Sequence, residues 1–324
     1  GYFNLVKILE LTLYGGRDPQ SGEQLGPEDT RAGKWTSFDE LMDSFAAQVE
    51  HFVRIKIRGN QVIEGLYARL MPAPFLSLLI DDCIARGRDY HSGGARYNTT
   101  YIQGVGMGTI TDSLSAIRTH VFDQKRLTFR ELVDHLESNF TRDPAIRSLL
   151  ADQTPRYGND DDRADELAQK VFGIFWKTVD GVPNPRGGTH RVNLLPTTVH
   201  VYFGSRIGAT PDGRLAGQPL SEGISPVQGA DRQGPGAVVL SAAKLDQGKT
   251  GGTLLNQKFS PELLADDATL AKVGDLVRTY FALDGHHIQF NVVDAQTLRA
   301  AQKDPESYRD LIVRVAGYSD YFND

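Results

Sequence analysis

The sequence of 324 residues predicts an α/β fold. Three observations carry that reading: stretches with apolar residues at helical spacing behind capping residues, short apolar runs of strand type, and glycine- and proline-rich segments that separate the two.

Taken in order, Leu5, Ile8, Leu9 and Leu11 are spaced for one buried face of a first helix. Residues 13–34 are dominated by glycine, proline and charge and read as an exposed connector. Ser37 with Glu40 three residues on has the pattern of a capping box, and Phe38, Leu41, Met42, Phe45, Val49, Phe52 and Val53 continue at helical spacing, as core packing. An apolar block at 75–84 places Cys83 beside Asp81 and Asp82 on a helix, where a lone cysteine is expected to be a small packing residue rather than a reactive thiol. Gly104, Gly106 and Gly108 have the spacing of a dinucleotide loop. Polar residues precede them and Asp123 is an isolated acidic candidate, so the expectation is tight backbone packing around a pocket, followed by a helix from Thr111 and Asp112.

Thr128 with Glu131 is a second capping box. Asp160, Asp161 and Asp162 lack the spacing of a calcium loop and precede a helical pattern of Leu167, Val171, Phe172 and Phe175, where acid opposes the positive end of the helix dipole. Beyond Asn184 the character changes. Residues 192–203 and 237–243 read as strands joined by a long irregular connection, of the kind that usually serves function, and 251–259 continues in that irregular style. His286 and His287, adjacent on a strand, point to opposite faces and so are expected to be packed or hydrogen-bonded rather than metal ligands. Asp304 and Pro305 open a short helix, and 311–315 reads as a buried strand.

Composition narrows the function. A net charge of −6 and 40% hydrophobic residues are ordinary globular values, without the basic excess that would hold nucleic acid or anionic lipid. No apolar run approaches the roughly 20 residues of a membrane helix, and no signal-peptide pattern opens the chain, so a cytoplasmic address is expected. A single cysteine excludes a disulfide framework or a thiolate metal cage; no metal is expected, and the compartment reads as reducing. The chain starts without methionine, directly in a helix, and is expected to be a piece of something longer.

The residue that demands most explanation is Gly317, in Arg314-Val315-Ala316-Gly317-Tyr318-Ser319-Asp320. A carbon radical at Cα needs a planar centre conjugated with both flanking amides, and only glycine has no Cβ to crowd that plane. This segment resembles the signature of the glycyl radical enzymes, the pyruvate formate-lyase-like family. Gly93-Gly94-Ala95-Arg96-Tyr97-Asn98-Thr99, Tyr101-Ile102-Gln103-Gly104-Val105-Gly106, Thr109-Ile110-Thr111-Asp112-Ser113-Leu114 and Tyr157-Gly158-Asn159-Asp160-Asp161-Asp162 extend the resemblance. So do Leu195-Pro196-Thr197-Thr198, Gly251-Gly252-Thr253-Leu254-Leu255-Asn256-Gln257 and Gly285-His286-His287-Ile288-Gln289-Phe290-Asn291-Val292. It covers essentially the whole chain.

The resemblance implies a ten-stranded α/β barrel with helices outside, of which this chain is the C-terminal portion with the glycyl radical loop. Residues 1–195 would complete the helix-rich barrel domain and 196–324 would form the glycine radical domain. Gly317 would store the radical. No cofactor would be bound; a radical S-adenosylmethionine activating enzyme would install the radical, and that enzyme and a small-molecule substrate are the partners implied, with a homodimer for the full-length protein. The motifs are nearest to the hydroxyproline-dehydrating members, which implies loss of water from trans-4-hydroxy-L-proline to give a pyrroline carboxylate. They also imply that Thr197 contacts substrate, although as a β-branched residue it suits any strand. The family's second loop, a cysteine in Gly-Cys-Val-Glu, is not in this sequence, and Cys83 stands in no such context. The chain alone is therefore expected to be inactive. Diol dehydratases, choline trimethylamine-lyase and formate acetyltransferases of the same fold remain open, as does a non-catalytic spare part that supplies the glycine loop.

Overall fold

The chain begins in strand β1 (Tyr2–Asn4), which pairs in parallel with β2 (Thr100–Val105); β2 pairs with β3 (His190–Leu194) and β3 with β4 (Thr250–Thr253). Among the described residues these four make one parallel sheet in sequence order. Parallel neighbours require long crossovers, and helices supply them. Leu5–Leu13 and Phe38–Leu70 lie between β1 and β2, Met107–Ile117 and Asp162–Val179 between β2 and β3, and Pro235–Ala243 between β3 and β4. Strands β5 (Leu255–Phe259) and β6 (Ile288–Val292) form a parallel pair around the helix Asp267–Ala282, and β7 (Ile312–Val315) pairs antiparallel with β8 (Tyr318–Tyr321). The computed structural model describes residues 1–315 and 318–322. This is the α/β class that the sequence predicts.

Side chains alternate along a strand, so each sheet face collects every second residue. Phe3, Ile102, Val192 and Leu194 are buried on the face beneath the helices. There the Phe3 ring stacks on Phe175 of Asp162–Val179 with centroids 5.2 Å apart. Gly104 lies under the same ring: a Cβ at this position would stand 3.0 Å from Phe175 and 2.9 Å from Leu194. The glycine is a packing device. Gly106 adds a conformational demand, since its φ of 87° caps the helix Met107–Ile117.

Several elements follow the sequence closely. Leu41, Met42, Phe45, Val49 and Val53 are buried, Cys83 is a buried packing residue, and Thr128 and Glu131 form a reciprocal capping box on Phe129–Glu137. Asp161 caps Asp162–Val179, while Lys244 lies 2.7 Å from Asp160 and Asp162 and 2.8 Å from Asp165, so the acidic run is neutralised by an amine. Among the described residues no group of His, Cys, Asp and Glu is placed to hold a metal ion, and no helix is long and apolar enough to cross a membrane.

Others differ. The first helix is buried all round apart from Lys7, not on one face. Glu40 turns to the Thr36 amide at 2.7 Å, so Ser37 caps without the reciprocal bond. The helix it starts runs on to Leu70, where Val62, Ile63 and Leu70 are exposed, and in the apolar block beyond it Phe75 is 78% exposed. Strand β2 runs through Gly104 and stops just before Gly106, and the following helix starts earlier than expected, at Met107. Residues 237–243 are helical, not extended: Pro235 presets the first turn, and a short buried apolar run has no periodicity to separate the two states. The strand expected over 192–203 stops at Leu194, because Pro196 has no N–H for a ladder, and Val199–Gly204 is helical. The irregular style expected at 251–259 gives way to strands β4 and β5. Residues 312–315 are a strand of a two-stranded ribbon, on which Ile312 is 57% exposed rather than buried.

Removing the ring that bridges sheet and helix should show its weight. Phe175→Ala is expected to cost about 3–5 kcal/mol, the range for a buried aromatic truncation. The midpoint of chemical denaturation measures it, and an unchanged midpoint would contradict the packing described.

Candidate active site

In a parallel α/β sheet, ligands bind beyond the carboxyl ends of the strands. Chain segments leave those ends unconstrained by ladder hydrogen bonds, and β3 does so at Leu195-Pro196-Thr197. The Leu195 amide donates to Gln103 Oε1 at 3.2 Å, which ties the segment back to β2. Thr197 then takes a φ of 52°, a left-handed conformation that a β-branched residue adopts only under constraint. Its hydroxyl donates to the Pro196 carbonyl at 2.7 Å and lies 3.4 Å from the hydroxyl of Tyr2. The Thr197 carbonyl accepts from His200 Nδ1 at 3.2 Å. Burial lowers the His200 pKa, so the imidazole is held neutral with its proton on Nδ1.

Tyr2 belongs to the sheet face opposite the helices. Register places Tyr2 beside Gln103 and Gln103 beside Asn193, a polar row across three strands, with Tyr101 beside Arg191 next to it. Gly251 on β4 makes room for this row: a Cβ there would run into the Tyr101 ring and stand 2.6 Å from Asn193 Oδ1. That oxygen is buried without a hydrogen-bond partner.

The long irregular connection contributes a second set of groups. Ser221 and Thr109 bond each other reciprocally, amide to hydroxyl, at 2.8 and 2.9 Å, and the Ile224 amide donates to the Leu254 carbonyl at 2.9 Å. Glu222, held between these anchors, accepts from Asn256 Nδ2 on β5. It lines a cleft of about 630 Å³ together with His200, Asn256, Lys258 and Asn291. Burial pushes the Glu222 carboxyl up to about 7. A carboxyl that titrates near neutrality can hold or release a proton at working pH, and a neutral imidazole lines the same cleft.

Thr197 therefore stands at a strand end beside the Tyr2 hydroxyl and is tied by its carbonyl to His200 of the cleft, whereas Gly317 lies outside the described residues. His286 and His287 sit just ahead of β6, and the His286 amide donates to Gln247 Oε1 at 2.9 Å. Sequence reasoning missed Tyr2, Gln103, Asn193, His200 and Glu222. A period-two alternation in β1 and β2 could have found the first two, since Phe3 and Ile102 mark the opposite face. Nothing local marks Glu222.

Two family models match the chain: Pyruvate formate lyase-like over residues 1–204 and Glycine radical over residues 220–323. Trans-4-hydroxy-L-proline dehydratase of Clostridioides difficile is 53% identical over 323 residues, which are 100% of this chain and 41% of that protein. The crystal structure of the Clostridioides difficile hydroxyproline dehydratase, with trans-4-hydroxy-L-proline bound, superposes with a TM-score of 0.98 and covers 100% of this chain and 41% of that one. The B12-independent glycerol dehydratase of Clostridium butyricum, with glycerol bound, is 44% identical at a TM-score of 0.95, covering 99% of this chain and 41% of that one. The chain thus spans about two-fifths of the length of the relatives it matches. Its fold is part of the ten-stranded α/β barrel of those enzymes, and the second match implies a post-translational glycyl radical.

Titration of Glu222 carries a stability signature. Its folded pKa of about 7 stands above the ordinary 4.5, so between those values the folded chain keeps a proton that the unfolded chain has lost, and stability falls as pH rises. Glu222→Gln keeps the acceptor for Asn256 and removes the charge. It is expected to gain on the order of 1–3 kcal/mol over the wild type at pH 8 and almost nothing at pH 4. Denaturation midpoints at both pH values test this, and equal shifts at the two would contradict it.

Proposed function

We propose, from the premise that this chain belongs to the pyruvate formate lyase-like family, that it is the radical-bearing part of a dehydratase acting on trans-4-hydroxy-L-proline. The observation that most supports this is 53% identity, over the whole chain, to a protein with that activity. The division into barrel domain at 1–195 and radical domain at 196–324 is part of the same reading, as are a homodimeric full-length protein and a reducing cytoplasm around it. Family members need an activating enzyme; a radical S-adenosylmethionine enzyme would remove one hydrogen atom from the Gly317 Cα and leave the unpaired electron there.

In turnover, the Gly317 radical takes a hydrogen atom from a cysteine thiol on a loop outside this chain. The thiyl radical takes a hydrogen atom from the substrate carbon next to the ring nitrogen. The neighbouring hydroxyl leaves with a proton as water, and the thiol returns its hydrogen atom to give a pyrroline carboxylate, one unpaired electron being conserved throughout. Thr197 contacts the substrate, and Tyr2 presents its hydroxyl beside it. The polar row of Tyr2, Gln103 and Asn193 supports a substrate with a ring amine, a carboxylate and a hydroxyl. A small diol would leave some of these groups unpaired, at about 1–3 kcal/mol each.

The match to a glycerol dehydratase supports a second reading, with a diol in the same place. Substrate competition separates the two: the activated full-length protein is expected to dehydrate trans-4-hydroxy-L-proline and to leave glycerol, propanediol and choline essentially untouched. Comparable turnover of glycerol would replace the first reading by the second. In the same protein, Gly317→Ala should abolish the electron paramagnetic resonance doublet after anaerobic activation, and a surviving doublet would place the radical elsewhere. Thr197→Val keeps shape and loses the hydroxyl, and turnover should drop roughly tenfold or more. Wild-type kinetics in that variant would remove Thr197 from the site.

A further inference from the structure

We infer that Asn291 is a positioning residue for Gly317: its carboxamide grips the backbone of Arg314 and fixes where the chain enters the radical segment. This rests on the proposed role of Gly317 as the radical store.

The reason lies in the edge of a two-stranded ribbon. In an antiparallel pair, backbone groups of alternate residues face the partner strand and those between them face away. Strands β7 and β8 pair Val313 with Asp320, Arg314 with Ser319 and Val315 with Tyr318, and the Phe322 amide donates to the Leu311 carbonyl at 2.8 Å. Leu311 thus faces the partner, Val313 does so by alternation, and the amide and carbonyl of Arg314 face outward. Outward groups on a ribbon edge have no ladder to join. At Arg314 one side chain answers both: Asn291 Nδ2 donates to the Arg314 carbonyl at 2.9 Å, and Asn291 Oδ1 accepts from the Arg314 amide at 2.7 Å. A carboxamide presents donor and acceptor side by side, as a peptide group does, so Asn291 stands in for a neighbouring strand.

Asn291 is itself well placed as a reference. It lies on β6 opposite Lys258 of β5, two residues from the Asn256 that bonds Glu222. The ribbon is thereby referred to the same parallel pair that lines the cleft. The grip is on backbone, while the Arg314 guanidinium turns across the ribbon to Ser319 Oγ at 3.1 Å. Hydrogen-atom transfer needs reacting atoms about 3–3.5 Å apart, and a misplacement of about 1 Å costs on the order of a hundredfold. The anchor at Arg314 stands three residues upstream of Gly317 in the chain.

The test uses the full-length protein and its activating enzyme. Asn291→Leu is nearly isosteric and loses both bonds; Asn291→Asp keeps the acceptor for the amide and loses the donor to the carbonyl. Hydrogen exchange at the Arg314 amide should rise at least tenfold in the leucine variant and stay near wild type in the aspartate variant. Both should still develop the glycyl doublet. Turnover per spin should fall about tenfold or more in the leucine variant and about threefold in the aspartate variant, in kcat with KM unchanged. Unchanged Arg314 exchange, or wild-type turnover per spin, in the leucine variant overturns the inference. Should that variant not fold, the aspartate variant decides alone, and wild-type turnover per spin in it is equally fatal. A doublet that survives Gly317→Ala overturns the radical assignment and this inference together, whereas failure of the Asn291 variants alone leaves Gly317 standing.

Discussion

The close approach of Phe175 to the sheet at Gly104 is the constraint on which the rest of the site depends. With the ring held against Phe3 and over a residue that has no side chain, one face of β1, β2 and β3 is sealed under helix. Alternation then places Tyr2, Gln103 and Asn193 together on the other face. The polar row follows from how the opposite side is packed. A bulkier residue at 104 would lift the helix and tilt the row.

Energetics and chemistry meet again where the strand ends. Thr197 is held in a left-handed conformation that free chain would abandon, and the hydrogen bonds of Leu195 to Gln103 and of His200 to Thr197 hold it there. Strain of this kind costs of order 1–3 kcal/mol and persists only where surrounding structure over-determines it. Burial at Glu222 works in the same direction, since the scaffold carries a carboxyl whose charge it disfavours. Both features weaken the fold slightly and sharpen the site.

What the sequence discloses depends on how local the cause is. Capping at Thr128 and Glu131, helical spacing over Leu167 to Phe175 and the inert burial of Cys83 are each decided within a few residues, and each could be read directly. Gly317 stood out for chemical reasons, because its function would require the absence of a side chain. The pairing of Tyr2 with Thr197 was illegible for the opposite reason. Tyr2 and Thr197 are separated by 195 positions, and alternation within a strand tells which residues share a face but not which strands lie side by side. In 251–259, paired glycines hid two strands, and in 237–243 a proline-led apolar run passed for a strand because buried helix and buried strand are both simply apolar. The polar pairing of Glu222 with Asn256 spans different elements and leaves no local trace.

The manner in which Asn291 holds Arg314 has an evolutionary corollary. Recognition of a peptide unit is blind to the side chain that unit carries, so the hold on position 314 does not itself demand arginine there. Proline is the exception, because it has no N–H to offer the carboxamide. At position 291 the tolerance is reversed: glutamine has the same functional group one methylene further out, and aspartate has only half of it. Whatever keeps arginine at 314 in the signature this chain resembles is therefore not this hold but the work of its own side chain, such as the bond to Ser319 Oγ.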